Sequence, residues 1–257
     1  MAIPRVVSAR LEERFIFNFR LPPDELDRRL PAGWLKPQVI NGWAVASFCV
    51  LKLGRMTLWP FPPLINIRTT SCAYRCGAID AYDGKDEPTV YITDRNTDRG
   101  IIAATAPFIF SDTIPAVHAA IARSPGVIEI SVSHLDGQRL FSADIDTSGP
   151  AEWQSEVFAT LEDFVSFIKG GVSSWTPSTK AERLARVDLA KEDASYAGLR
   201  GNVDFNSLES LWRDSGMELD SVVRATGGRY RWTYRGLRAA KDQLDYLHGA
   251  APVPAPG

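Results

Sequence analysis

Arg68 stands in the middle of Ile65-Asn-Ile-Arg-Thr-Thr70, a run rich in the β-branched residues that suit a strand. Facing inward, its guanidinium would hold a substrate carboxylate through two parallel hydrogen bonds. Facing outward, it would make a surface ion pair, and the sequence leaves both open. Glu129 and His134, in Val127-Ile-Glu-Ile-Ser-Val-Ser-His134, are residue types that exchange protons near neutral pH. Alternation sets Ile128, Ile130 and Val132 on one face and Glu129 on the other, so the histidine points away from the glutamate unless a bulge intervenes. The plainer alternative is a solvated strand face beside a hairpin histidine. Lys169 ends an apolar helix, either as a buried amine or as the cation a last helical turn favours, and the second is expected. Cys72 and Cys76, four residues apart on one strand, sit about 13 Å from each other, too far for a disulfide, and read as buried free thiols. His118 and His248 have no partner at metal-ligand spacing, and Asp80, Asp83, Asp94 and Asp98 do not form a calcium loop. Neither a metal nor a cofactor is expected.

Strands dominate the elements that would position these groups. Phe15, Phe17, Phe19 and Leu21 recur at period two, and Trp43-Ala-Val-Ala-Ser-Phe-Cys-Val-Leu51 is apolar on both faces, as a central strand is. Further strands are expected over 65–74, 89–93, 127–133, 139–144, 221–226 and 229–234. Asp136-Gly137 is a hairpin signal, and Gly227-Gly228 separates the last two strands. Helices are expected over 23–30, over 155–169 with a Phe158, Leu161, Phe164, Val165, Ile168 stripe, from Asn206 with a capping-box spacing, and over 236–247. Together they predict an α+β protein built on a mainly antiparallel, barrel-like sheet. The aromatic set (Trp34, Trp43, Trp59, Phe61, Trp175, Tyr230, Trp232 and Tyr234) is expected mostly in the core, with Trp59-Pro-Phe-Pro-Pro as a stiff rim.

The chain has 257 residues, with 29 Lys and Arg against 31 Asp and Glu. A net charge of −2 argues against nucleic acid as partner, and no apolar stretch suits a membrane span. The first residues lack a signal-peptide pattern, and three cysteines fit a reducing compartment, so a cytoplasmic protein is expected. One domain over residues 1–248 and a disordered Pro/Ala-rich tail over 249–257 complete the organisation, with self-association left open.

Three stretches in this order resemble the acetoacetate decarboxylase-like superfamily, particularly its bacterial branch. They are Arg20-Leu-Pro-Pro-Asp-Glu-Leu through Trp34 with Asn41-Gly-Trp-Ala-Val-Ala-Ser-Phe48, Ile65-Asn-Ile-Arg-Thr-Thr70, and Val90-Tyr-Ile-Thr-Asp94 leading to Ala106-Pro-Phe-Ile-Phe-Ser111. The resemblance implies a β-barrel or cone around a mostly apolar cavity. It also implies a Gly-Arg-Glu and Pro-Lys-Lys motif, but here Gly100 precedes Ile101-Ile102 and Pro107 precedes Phe108-Ile109. The position of the Schiff-base lysine is therefore Phe108, and that of a family glutamate falls near Asn66. An imine mechanism at that position is excluded, because neither Phe108 nor Ile109 is an amine. The expected site joins Arg68 and Glu129 as catalytic groups to Asn66, Phe108, Trp59, Phe61 and Tyr91 as substrate contacts. The expected function is a lyase, isomerase or cyclase acting on a keto-acid or polyketide-like small molecule. The rival is a binding protein for an apolar or carboxylate-bearing metabolite.

Overall fold

The computed structural model describes residues 5–59, 67–192 and 194–240. Its strands are β1 (Val6–Leu21), β2 (Leu35–Pro37), β3 (Val39–Ile40), β4 (Trp43–Trp59), β5 (Ile67–Asp80), β6 (Glu87–Thr97), β7 (Val117–Ser124), β8 (Val127–His134), β9 (Arg139–Asp146), β10 (Ser173–Pro177), β11 (Arg183–Glu192), β12 (Ser195–Asn206), β13 (Glu218–Thr226) and β14 (Arg229–Ala239). Its helices are α1 (Pro23–Asp27), α2 (Gly100–Ile109), α3 (Leu161–Gly170) and α4 (Ser207–Leu211). Apart from one parallel pairing, Ser174↔Val90 between β10 and β6, the ladders are antiparallel. No helix among the described residues is long and apolar enough to cross a membrane.

Seven strands close into a ring in the order β1, β4, β5, β6, β10, β11, β14 and back to β1. Closure works because β1 pairs with β4 along one edge and divides its other edge between two partners. Val6 to Arg10 pair with β14, and Glu13 to Arg20 pair with β13. At the division, Leu11 donates its N–H to the Gly228 carbonyl at 3.0 Å. From β13 a second sheet runs through β12, β9 and β8 to β7.

The main core lies between that second sheet and the outside of the ring. Phe15, Phe17 and Phe19 of β1, Phe48 of β4 and Tyr74 of β5 pack there against Ile128, Ile130, Val132 and Phe141. Phe48 stacks on Phe141 with ring centroids 4.1 Å apart. The opposite faces of β1, β4 and β5 turn into the ring. These strands therefore bury both faces, which explains the unbroken apolar run from Trp43 to Leu51.

The α+β barrel is the expected one, and several boundaries differ. Residues 155–160 are not helical. The Asp220 carboxylate accepts from the N–H groups of Glu156 and Val157, and the Ser155 hydroxyl accepts from Phe158. The helix begins only where Thr160 and Asp163 cap it reciprocally, an Asp version of the capping box. Residues 236–239 are strand, held by β11 through pairs such as Ala185↔Leu237, and the rest of the expected last helix lies outside the described residues. Gly227-Gly228 makes no hairpin, because β13 and β14 each pair with β1 instead of each other. Helix α2 and strands β7, β10, β11 and β12 were not anticipated. Residues 60–63 of the expected rim and the expected tail over 249–257 lie outside the described residues.

Gly228 holds the division of β1 together. Its φ is +94°, and a Cβ there would stand 2.3 Å from the Glu192 carbonyl oxygen. Gly228→Ala is expected to cost about 1–3 kcal/mol from the backbone conformation alone, seen as a lower midpoint of chemical unfolding. Gly100→Ala, whose Cβ meets nothing within 4 Å, serves as the control and should stay within about 0.5 kcal/mol. Equal midpoints for the two variants would contradict this role.

Candidate active site

Every strand of the ring contributes to one interior cavity of about 160 Å³. Val7, Met56, Ile102, Phe110, Ile114 and Trp232 form its apolar wall. Its charged lining is Arg14 from β1, Arg75 from β5, Arg95 from β6 and Lys191 from β11, with the Tyr230 phenol from β14 beside them. Arg95 has an acidic partner, since its Nε lies 3.1 Å from the buried Asp112 carboxylate. Burial raises the Asp112 pKa above the usual carboxylate value despite that arginine.

The other three cations have no carboxylate within ion-pair distance among the described residues. Arg14, 1% exposed, donates to the Tyr230 hydroxyl at 3.3 Å and to Cys49 Sγ at 3.4 Å. Arg75 donates to the same sulfur at 2.7 Å. The Nε atoms of both arginines are buried without a partner. Burial, and then the charge of Arg14, bring the Arg75 pKa down to about 10. Two guanidiniums thus converge on one thiol and keep donors in reserve, as a site for an anion would.

Lys191 reaches the cavity by strand alternation, following Val187 and Leu189 on the inward face of β11 while Glu192 is exposed. Its Nζ donates to the carbonyls of Ile168 at 2.6 Å and Gly171 at 3.0 Å. These carbonyls belong to the end of α3, where helical oxygens lack intrahelical donors. Burial, then the neighbouring Arg14 and Arg75, hold its pKa well below the ordinary lysine value of 10.5. A neutral amine has two N–H bonds, matched by the two carbonyls, and a lone pair left over. An ammonium would carry a third N–H, and no third hydrogen bond of Nζ is found among the described residues. Register makes Lys191 the cross-strand partner of Tyr230, so the amine and the phenol stand side by side.

The expected site residues lie elsewhere. The Arg68 side chain is 70% exposed and pairs with Glu12, because β5 turns Arg68 outward. Glu129 is exposed on β8, whose alternate residues Ile128, Ile130 and Val132 fill the core. His134 is not brought to it, pairing instead with Val117 across the ladder. Phe108 is 77% exposed on α2, and the cavity takes Ile102 and Phe110 from that part of the chain. Tyr91 is buried with Trp34 and Trp175 outside the cavity, and burial raises its phenol to about 12. Trp59 ends β4, while Asn66 and Phe61 lie outside the described residues. Lys169 is exposed in the last turn of α3, as expected. Cys49, Cys72 and Cys76 are buried free thiols. No group of three metal-ligating side chains comes together among the described residues.

Sequence reasoning passed over Arg14, Arg75 and Lys191. The Lys191 signal was present in the alternation of Ala185, Val187, Leu189 and Lys191, obscured by the charged residues between them. Arg14 and Arg75 alternate with Phe15 and Tyr74, so taking the aromatic face as the only buried one concealed them. The interior therefore holds an amine that the motif comparison did not supply.

Solved structures share this architecture. An acetoacetate decarboxylase from Legionella pneumophila matches with a TM-score of 0.61, over 95% of this chain and 89% of its own, at 12% identity. An acetoacetate decarboxylase-like enzyme from Sphingomonas wittichii matches at 0.58, over 91% and 92%, also at 12% identity. The enduracididine biosynthesis enzyme MppR, solved in complex with pyruvate, matches at 0.56, over 94% and 92%, at 15% identity. No protein-family model and no curated protein matches the chain. At such identities the likeness speaks to architecture and leaves chemistry to the site. With its closed ring, second sheet and interior cavity, this chain has the acetoacetate decarboxylase-like fold.

Proposed function

We propose that this chain is a cytoplasmic enzyme acting on a small oxo acid, with Arg14 and Arg75 holding the carboxylate and Lys191 forming an imine with the ketone. One observation carries this reading: a buried amine whose pKa is held well below the ordinary lysine value and two guanidiniums with unused donors line the same cavity, with no carboxylate within ion-pair distance of them among the described residues. That arrangement activates a lysine, because desolvation and adjacent cations both disfavour its protonated form.

The Lys191 lone pair would attack the ketone carbon, forming a C–N bond as the carbonyl electrons move to oxygen. That oxygen takes one proton from the attacking nitrogen and a second from the Tyr230 phenol, the neutral acid beside the amine, and leaves as water. The resulting iminium nitrogen accepts the electron pair of a neighbouring C–C or C–H bond as it breaks. A 3-oxo acid would lose carbon dioxide, and other oxo acids would yield an enamine for isomerase or cyclase chemistry. The amine thus replaces the lysine missing at Phe108. A cavity of about 150 Å³ holds a benzene-sized ligand, so the substrate should have about six to eight non-hydrogen atoms. Its carboxylate would face Arg14 and its apolar end would lie against Val7 and Trp232, which pair with each other at the far end of β1.

Pyruvate or acetoacetate with cyanoborohydride should leave a reduced adduct on Lys191, located by peptide mass spectrometry and missing from Lys191→Met. Calorimetric pyruvate binding without any adduct on Lys191 would overturn the enzyme reading in favour of a binding protein.

Arg14→Gln and Arg75→Gln should each weaken pyruvate binding about ten- to a hundredfold, from ~1.5–3 kcal/mol per charged hydrogen bond. Arg68→Gln, altering an exposed side chain, should leave affinity unchanged. Loss of affinity in Arg68→Gln alone would contradict the assignment. Trapping in the wild type should persist at pH values where ordinary lysines are protonated. Arg75→Gln removes a cation that lowers the Lys191 pKa, so it should move the acidic limb of the trapping profile towards higher pH. An unmoved limb would show that Arg75 does not act on the amine.

A further inference from the structure

We propose that Lys191 is also a carbon dioxide-binding site, at which its amine becomes a carbamate that competes with imine formation. The proposal rests on the same reading of Lys191 as an uncharged nucleophile, and adds a second ligand for it. Carbon dioxide is small and apolar, which suits the Met56, Ile102, Ile114 and Trp232 wall. It adds only to an amine with a free lone pair. Lys191 offers one, because its two N–H bonds are committed to the carbonyls at the end of α3. The product is an anion placed among groups that lack one. Facing the amine are Arg14 from β1, Arg75 from β5, the Cys49 thiol from β4 and the Tyr230 phenol from β14. Both arginines keep a buried, unpartnered Nε–H for the carbamate oxygens.

The step balances without a redox partner. The nitrogen lone pair forms a C–N bond to carbon dioxide, and one C=O electron pair moves to oxygen. One N–H proton leaves to bicarbonate in solution. The remaining N–H keeps one of the two α3 carbonyls. The carbamate uses the nitrogen that an imine would need and the arginines that an oxo acid would need. If the enzyme releases carbon dioxide, its own product would restrain it. An exposed lysine such as Lys169 has neither the desolvation nor the counter-charges to keep a carbamate.

The test uses the full chain with ¹³C-bicarbonate at neutral pH. A carbamate carbonyl resonance is expected in the wild type and in Lys169→Met, and is expected to vanish in Lys191→Met. Trimethyloxonium treatment of the wild type should convert it to a stable methyl carbamate, mapped by peptide mass spectrometry to Lys191, which needs no folded variant. Absence of that modified peptide, or a resonance that survives in Lys191→Met, would overturn the proposal. Pyruvate trapped on Lys191 with no carbamate would overturn this inference alone. A carbamate with no trapped pyruvate would support it and sink the oxo-acid reading instead.

Discussion

Arg14, Arg75 and Lys191 share the interior of a closed ring of strands, with no carboxylate within ion-pair distance of them among the described residues. Such an arrangement is costly unless a partner relieves it, because each charge has left water and repels its neighbours. The chain relieves it in two ways. Burial and the neighbouring arginines bring the Lys191 pKa well below the ordinary lysine value, and its Nζ donates to two carbonyls at the end of α3. Arg14 and Arg75 turn part of their donor sets onto Cys49 and Tyr230 and keep their Nε–H groups unspent. What remains is a cavity tuned to an anion with an electrophilic carbon beside it.

The fold sustains this tension by burying both faces of the strands that carry it. Phe15 and Arg14 are neighbours on β1, yet one packs against the second sheet and the other faces the cavity. Tyr74 and Arg75 repeat the arrangement on β5. The apolar packing of the outer face fixes the strand positions, and these set where the cations stand. Thr160, Asp163 and the terminal glycines matter for the same reason, since they decide where α3 starts and stops and so where the Ile168 and Gly171 carbonyls meet Lys191.

Much of the architecture was legible in the sequence, because alternation at Phe15, Phe17 and Phe19 and the Asp136-Gly137 turn are local signals. The barrel-like sheet followed from them, and so did the doubly buried strand after Trp43. The site was not legible for a physical reason. A strand pattern says that Arg68 and Glu129 each lie on one of two faces, but which face is inside depends on pairings with distant strands. In a ring carrying a second sheet, both faces of β1 and β5 are interior, so an arginine next to an aromatic residue can be as buried as the aromatic. Motif comparison drew attention to Phe108, on an exposed helix. The amine lies on β11, where the alternation of Ala185, Val187 and Leu189 before it betrays the inward face.

The proposed chemistry requires Lys191 to be an uncharged amine beside two charged guanidiniums. Selective ¹³C labelling of the lysine side chains, followed by NMR across a pH titration, reads its protonation state directly. We expect one lysine, missing from the Lys191→Met spectrum, to be neutral at pH values far below the 10.5 at which an ordinary lysine loses its proton. If that resonance titrates together with the surface lysines, the cavity holds an ordinary ammonium and the proposed chemistry falls with it.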